Sequence, residues 1–114
     1  MTTDRELLEL AAKAAGIPIV ACTCRDKRWP FAHNEAVSGK YGHWNPLESD
    51  GDALRLAVRL KIDIEWQATN PFPEPRVEAY QRNYEGTYFC ADEPEEHYRR
   101  AIVRAAAEIG KAMP

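Results

Sequence analysis

No apolar run in the chain approaches the ~20 residues that a membrane-spanning helix requires, so no membrane partner is expected. Cysteine is scarce as well: Cys22, Cys24 and Cys90 are the only three. An odd count without a disulfide framework predicts reduced thiols in a cytoplasm. The opening residues include Asp4, Glu6 and Glu9 and lack the basic stretch of a signal peptide, so no export is expected. A surplus of positive charge is also missing, because the chain carries a net charge of −3. Residues 1–61 sum to +1 and residues 62–114 to −4. Only residues 25–44 show a local basic excess, four basic side chains against two acidic ones. That disfavours a generic polyanion-binding surface.

What is present describes an ordinary globular domain. With 114 residues, 45% hydrophobic and 29% charged, the chain has the length of one domain and enough apolar content for a core without covalent staples. No internal repeat and no linker divides it, so residues 1–114 are read as a single α+β domain with an irregular loop at about 25–49.

Three helices are marked by their ends. Thr3-Asp4-Arg5-Glu6 forms a capping box, in which the Thr3 hydroxyl accepts from the Glu6 amide. Leu7, Leu8, Ala11, Ala14 and Ala15 follow on one face, and Gly16 and Pro18 stop the helix. The first helix therefore spans about residues 4–15. Ser49 and Asp50 precede an apolar set at Ala53, Leu56, Ala57 and Leu60, flanked by Leu54 and Val58. This gives a second helix over about 50–60, with Asp50 and Asp52 at its positive end. Asp92-Glu93-Pro94-Glu95 resembles a third start, with Asp92 as cap, and Tyr98, Ile102, Ala105, Ala106, Ile109 and Met113 form a stripe. That helix is expected over about 94–110.

Strands are expected at about 19–24 and at 62–67, where Ile62, Ile64 and Trp66 alternate with polar residues. Two shorter strands, 77–81 and 87–90, flank a turn at Asn83-Tyr84-Glu85-Gly86, and the proline-rich 70–75 stretch is a loop. The order is α-β-(long loop)-α-β-β-β-α. It predicts a mainly antiparallel sheet of about four strands covered by three helices. Ala11, Leu56, Leu60, Ile64, Trp66, Ile102, Ala105 and Ile109 are the expected core.

Three long strings carry a family resemblance: Asp4 to Ile17, Trp44-Asn45-Pro46-Leu47 through Val58, and Arg99-Arg100-Ala101-Ile102-Val103-Arg104 through Gly110. They resemble small, mostly uncharacterised proteins of tailed bacteriophages and prophages that share a phage alpha-beta-alpha sandwich domain. The resemblance implies helix–sheet–helix layering and the cytoplasm of a bacterial host, and it carries no catalytic residue. It does not extend to residues 25–43 or 68–92.

The chemistry-bearing groups are few. Cys22-Thr23-Cys24 puts two thiols on one strand face, with His33, His43 and Cys90 elsewhere. The Cys-x-Cys gap is tighter than the usual zinc spacing, which favours inert packing and no metal. A dyad of Cys24 with His33 or His43 lacks any evident activation of the thiol, so no catalytic residue is assigned. Glu48, Asp50 and Asp52 lack a calcium-loop pattern, and capping explains the two aspartates. Arg25, Lys27, Arg28, Trp29, Phe31, Lys40, Tyr41 and Trp44 interleave basic and aromatic groups and form the candidate interaction surface, the alternative being a loop that tucks its aromatics into the core and leaves its charges solvated.

The reading that follows is a non-enzymatic phage accessory protein without a cofactor, binding a protein partner or a second copy of itself. Nucleic-acid binding through loop 25–44 is the alternative, and an enzyme of unknown type comes next. The α-β-β-β-α order of residues 50–112 is similar to a double-stranded-RNA-binding domain. The acidic run Asp92–Glu96, at the point where that fold needs cations, argues against it.

Overall fold

The computed structural model describes residues 2–67, 74–82 and 88–114. The 70–73 part of the expected loop and the Asn83–Gly86 turn lie outside them. Helix α1 covers Asp4–Ala15, with Thr3 capping the Glu6 amide as its sequence requires and Gly16 closing it in the left-handed conformation. Three short strands follow, β1 (Ile19–Ala21), β2 (Phe31–His33) and β3 (His43–Trp44), with a single helical turn α2 (Glu35–Ser38) between the last two. Helix α3 covers Asp50–Leu60 behind its Ser49 cap. Strands β4 (Asp63–Gln67), β5 (Arg76–Arg82) and β6 (Tyr88–Pro94) come next, then a 3-10 turn at Glu95–His97 and helix α4 (Tyr98–Ala112).

The class is α+β, with two three-stranded antiparallel sheets in place of one sheet of about four strands. The strand after α1 does not join the main β4-β5-β6 sheet. It pairs instead with β2, matching Ile19 to His33, Val20 to Ala32 and Ala21 to Phe31, and β2 in turn pairs with β3. Part of the expected irregular stretch at 25–49 is thus strand and helical turn, at Phe31–His33, Glu35–Ser38 and His43–Trp44. Strands of two or three residues are too short to show a period, so no alternation announced them.

Helix α4 is the centre of the molecule. It packs on α1, α3, β5 and β6, and this explains why Ala101, Ile102, Val103, Ala105, Ala106 and Ala107 are buried around most of its circumference. Small side chains let several neighbours approach it at once. The closest approach is at Gly110, where a Cβ would lie 2.9 Å from the carbonyl carbon of Leu10 on α1.

The main sheet turns Val77, Ala79 and Ala91 to the helices, all buried. On its other face Asp63, Glu65, Tyr88 and Cys90 are exposed. Among the described residues the sheet is therefore helix-covered on one side, unlike the two-sided layering that the resemblance implies. Ala11, Leu56, Ile102 and Ala105 are core as expected, while Leu60, Ile64 and Ile109 are only partly buried. Trp66 departs from expectation: it shares a sheet face with Ile64 but is 59% exposed. It sits near the end of the edge strand, opposite Val77; α4 packs mainly on β5 and β6 and meets this corner through Tyr98, whose ring lies 6.3 Å from that of Trp66.

The start of the last helix also differs. Asp92 is not a cap, because β6 continues through Pro94 and Asp92 pairs with Arg76 across the sheet. Arg100 and Arg104 do not take their helical neighbours Glu96 and Glu108. They pair with Asp4 and Glu93, at 3.0 and 2.8 Å, and so tie α4 to α1 and β6.

The helix contact predicts an inverted outcome for Gly110→Ala. Alanine is favoured over glycine in a helix by about 1 kcal/mol, so a free position would gain stability. Here the overpacking against Leu10 should instead cost about 1–3 kcal/mol, read as a lower urea midpoint. Leu56→Ala, at a fully buried site, should cost about 2–5 kcal/mol in the same assay.

Candidate thiol-imidazole cluster and apolar groove

The small sheet is held to α3 by a buried polar knot. The amide of Asn45 donates to Asp52 Oδ2 at 2.9 Å, its side-chain nitrogen donates to the Arg28 carbonyl at 2.6 Å, and its side-chain oxygen accepts from Leu47 at 2.8 Å. The Asp52 carboxylate also accepts from Arg55 at 2.8 Å, and its amide donates to the capping hydroxyl of Ser49 at 3.1 Å. Asn45 and Asp52 are both buried, so every one of these groups needs its partner. Asp50 is engaged elsewhere: Tyr98 and Arg99 donate to its carboxylate at 2.5 and 2.7 Å and hold its pKa below the usual value. Two of the three carboxylates considered for a cation, Asp50 and Asp52, are therefore committed to structure, while Glu48 is exposed.

With the small sheet placed, Cys22, Cys24 and His43 come together. Cys22 extends β1 by one residue, its amide donating to the Pro30 carbonyl at 3.0 Å. Strand alternation puts it on the face of Val20, and His43 stands on that same face opposite Ala32. The Cys22 sulfur lies 3.0 Å from that of Cys24 and 3.3 Å from His43 Nδ1, and the Cys24 sulfur is 3.8 Å from the same nitrogen. The Trp29 ring stacks on His43 at 5.0 Å and fixes its orientation. The hydrogen bond shared with Cys22 raises the Cys24 thiol above its ordinary value, against a weaker lowering contact from the Asp26 backbone.

The cysteines are half-buried and His43 is exposed, so they are not the inert core pair expected from the spacing. His33 does not join them. Its strand parity is that of Phe31, toward the interior, and its Nδ1 is buried without a partner.

The candidate interaction surface is divided by the fold. Phe31 and Trp44 are core residues rather than surface ones. Arg5 lies 4.7 Å over the Phe31 ring. Trp29 is taken by His43, and Arg28 is neutralised by a two-pronged pair with Asp26, at 2.7 Å for the shortest contact. Arg25 and Lys27 remain exposed. Lys40 and Tyr41 belong to a different feature, an open groove of about 1060 Å³ between α3 and the turn after β2.

That groove collects apolar side chains with no core role. Val37 (70% exposed), Tyr41 (81%), Leu54 (60%) and Val58 (58%) line it. Leu54 and Val58 form a second stripe on α3, turned away from the buried Ala53, Leu56 and Ala57. Lys40, Arg55, Arg59 and Lys61 also line the groove, and no carboxylate among the described residues does. Arg59 donates to the Ala15 carbonyl at the end of α1, at 2.6 Å, and so fixes one wall. A second cavity, about 540 Å³ beside β6 and α4, mixes charges that largely pair with each other, such as Arg104 with Glu93 and Lys111 with Glu108.

No protein-family model, curated protein or solved structure matches this chain. The functional argument therefore rests on these residues.

Arg28 should be detectable through Asp26. The side-chain bond from Arg28, followed by its backbone amide, pulls the Asp26 carboxyl down to about 2. A depressed folded-state pKa stabilises the fold above the unfolded value of about 3.9, and the contribution is lost as pH falls through about 2. Carbon-detected NMR titration should place Asp26 near 2, and Arg28→Ala should return it toward about 4. Separately, Asn45→Ala leaves the Leu47 amide and the Arg28 carbonyl without their partner. It should cost about 1–3 kcal/mol for each group that stays buried, measured by chemical denaturation.

Proposed function

We propose that this chain is a non-enzymatic protein-binding module that holds an acidic, apolar-studded segment of a partner protein in the groove between α3 and the β2–β3 connection. One observation carries the reading. Four of the eight exposed large hydrophobics among the described residues gather in this groove, beside Lys40, Arg59 and Lys61 and an Arg55 paired with the buried Asp52. Scattered apolar residues are normal on a surface, whereas a cluster with a polar rim marks a contact site. The charge selects the occupant, because an acidic segment meets complementary potential and a basic one is repelled.

The same proposal makes the protein a small phage or prophage accessory factor acting in a bacterial cytoplasm. That part is supported by the wording of the strings at Trp44–Val58 and Arg99–Gly110 alone. The non-enzymatic part is supported by the thiols. A lowered pKa is one route to an activated thiol, and the bond between the two sulfurs raises that of Cys24 instead.

Fluorescence anisotropy with a labelled peptide alternating Leu or Phe with Glu tests the reading, using a Lys-for-Glu counterpart as control. The acidic peptide should bind at least about tenfold more tightly, about 1.4 kcal/mol. Combined Leu54→Ser and Val58→Ser should abolish the difference while changing stability by less than about 0.5 kcal/mol per exposed site. Equal binding of the two peptides would remove the charge argument. Labelled oligonucleotides should not bind even at about 50 mM salt, where electrostatic affinity is greatest. Steeply salt-dependent oligonucleotide binding would replace this reading with the nucleic-acid one.

A further inference from the structure

On the outward face of the small sheet, we infer that Cys22, Cys24 and His43 form a zinc site with two thiolate ligands, one imidazole ligand through Nδ1, and a fourth position open to solvent or to an incoming donor. The inference is independent of the groove and stands or falls separately from it.

The donor spacing is that of a tetrahedral ion. Zinc bonds thiolate sulfur at about 2.3 Å and imidazole nitrogen at about 2.0–2.1 Å. Tetrahedral angles then set sulfur–sulfur at about 3.8 Å and sulfur–nitrogen at about 3.5 Å. The two sulfur–nitrogen separations here are 3.3 and 3.8 Å, straddling that value. The sulfurs are 3.0 Å apart, the separation of two thiols that share a proton. Replacing the proton by an ion requires them to part by under about 1 Å, and Cys24 lies in the bend beyond β1, where such a shift disturbs no strand pairing. All the donor atoms already lie within 4.8 Å of one another.

Chemistry and placement agree with this geometry. Free cysteine is among the most buried residue types, yet both of these thiols are half-exposed and reachable from solvent. His43 reaches them from β3, across β2, so the convergence depends on the register of the sheet rather than on sequence proximity. Trp29 fixes the imidazole ring at a 20° interplanar angle, the orienting role that an outer partner plays for a metal-bound histidine. A copper(I) ion would be satisfied by the two sulfurs alone, whereas the nitrogen close to both favours a borderline ion that takes sulfur and nitrogen together.

Binding is balanced as follows. Zn²⁺ displaces one proton from each thiol, two metal–sulfur bonds form, and neutral His43 donates its Nδ1 lone pair without losing a proton. No oxidant or reductant takes part. Affinity therefore rises with pH as the thiols become easier to deprotonate. The bound ion would also clasp the extension of β1 to β3 across the intervening strand.

The test uses the full chain, reduced with a phosphine and freed of metal. Co²⁺ serves as the optical probe, and Zn²⁺ competes with a chromophoric chelator. The expected result is one ion per chain, with the intense visible bands of tetrahedral cobalt and a thiolate charge-transfer band. Cys22→Ser, Cys24→Ser and His43→Ala should each weaken Zn²⁺ beyond the about 10–100-fold typical of losing an outer-shell partner. Cys90→Ser, on the main sheet, should leave affinity and spectrum unchanged. Circular dichroism of each variant separates loss of ligand from loss of fold. If His43→Ala does not fold, thiol counting on the native chain decides, because Zn²⁺ should protect two of the three thiols. Failure of the reduced chain to take up Zn²⁺, or uptake that survives the double Cys22→Ser and Cys24→Ser replacement, would overturn the site. So would air oxidation to a Cys22–Cys24 disulfide in a chain that binds no zinc when reduced.

Discussion

The approach of α1 to α4 at Leu10 and Gly110 sets the dimensions of everything else. Because no side chain separates the two backbones at that point, the alanines at 101, 105, 106 and 107 can be fully enclosed. Close-packed interiors tolerate little change in volume, so the separation of these helices fixes how far α3 and the main sheet stand from the axis of α4. The charged pairs Arg100–Asp4 and Arg104–Glu93 flank this packing and bind α4 to its neighbours on two sides. Exposed pairs of this kind contribute little free energy. Their effect is to select one rotational setting of the helix.

A second constraint sits in the Asn45–Asp52 knot. An aspartate in the first turn of a helix would ordinarily serve the helix dipole alone. Here Asp52 also receives a backbone amide from the strand side, and Asn45 reaches back to the Arg28 carbonyl. The small sheet is consequently locked to α3 through polar atoms, although its strands are only two or three residues long. Both candidate sites depend on that lock. One lies on the outward face of the sheet, and the other lies in the gap between its connecting turn and α3.

Legibility in the sequence followed the length of the signal. Thr3, Ser49 and Gly16 each act at the helix end that their chemistry suggested, because a cap and several turns of period agree locally. Trp66 shows the limit of periodicity. Alternation assigns a face correctly but cannot tell whether a helix covers that part of the sheet. Asp92 shows a competing signal, where a plausible cap is outweighed by strand pairing with Arg76. Phe31 and Trp44 stood among cations, which left both a contact surface and a tucked-in loop open, and the pairing of β2 with β3 makes them core. The meeting of Cys22 with His43 was unreadable for the same reason. It rests on the register of two pairings across a 21-residue separation, and the only local clue was that Cys22 and Cys24 share strand parity. The exposed stripe of Leu54 and Val58, by contrast, was written in the helix itself as a flank to the core set.

The helix contact between Leu10 and Gly110 also has a cost in time. Its partners stand a hundred positions apart, so the part of α1 that packs on α4 has nothing to cover it while the intervening chain is being made. At about 5–20 residues per second of synthesis, that interval lasts roughly 5–20 seconds. Leu7, Leu8 and Ala11 are then open to the solvent and to other nascent chains. The central helix is made after the elements it packs on, so the interior closes only once it has emerged. Until then the exposed apolar face is the kind of surface that chaperones recognise.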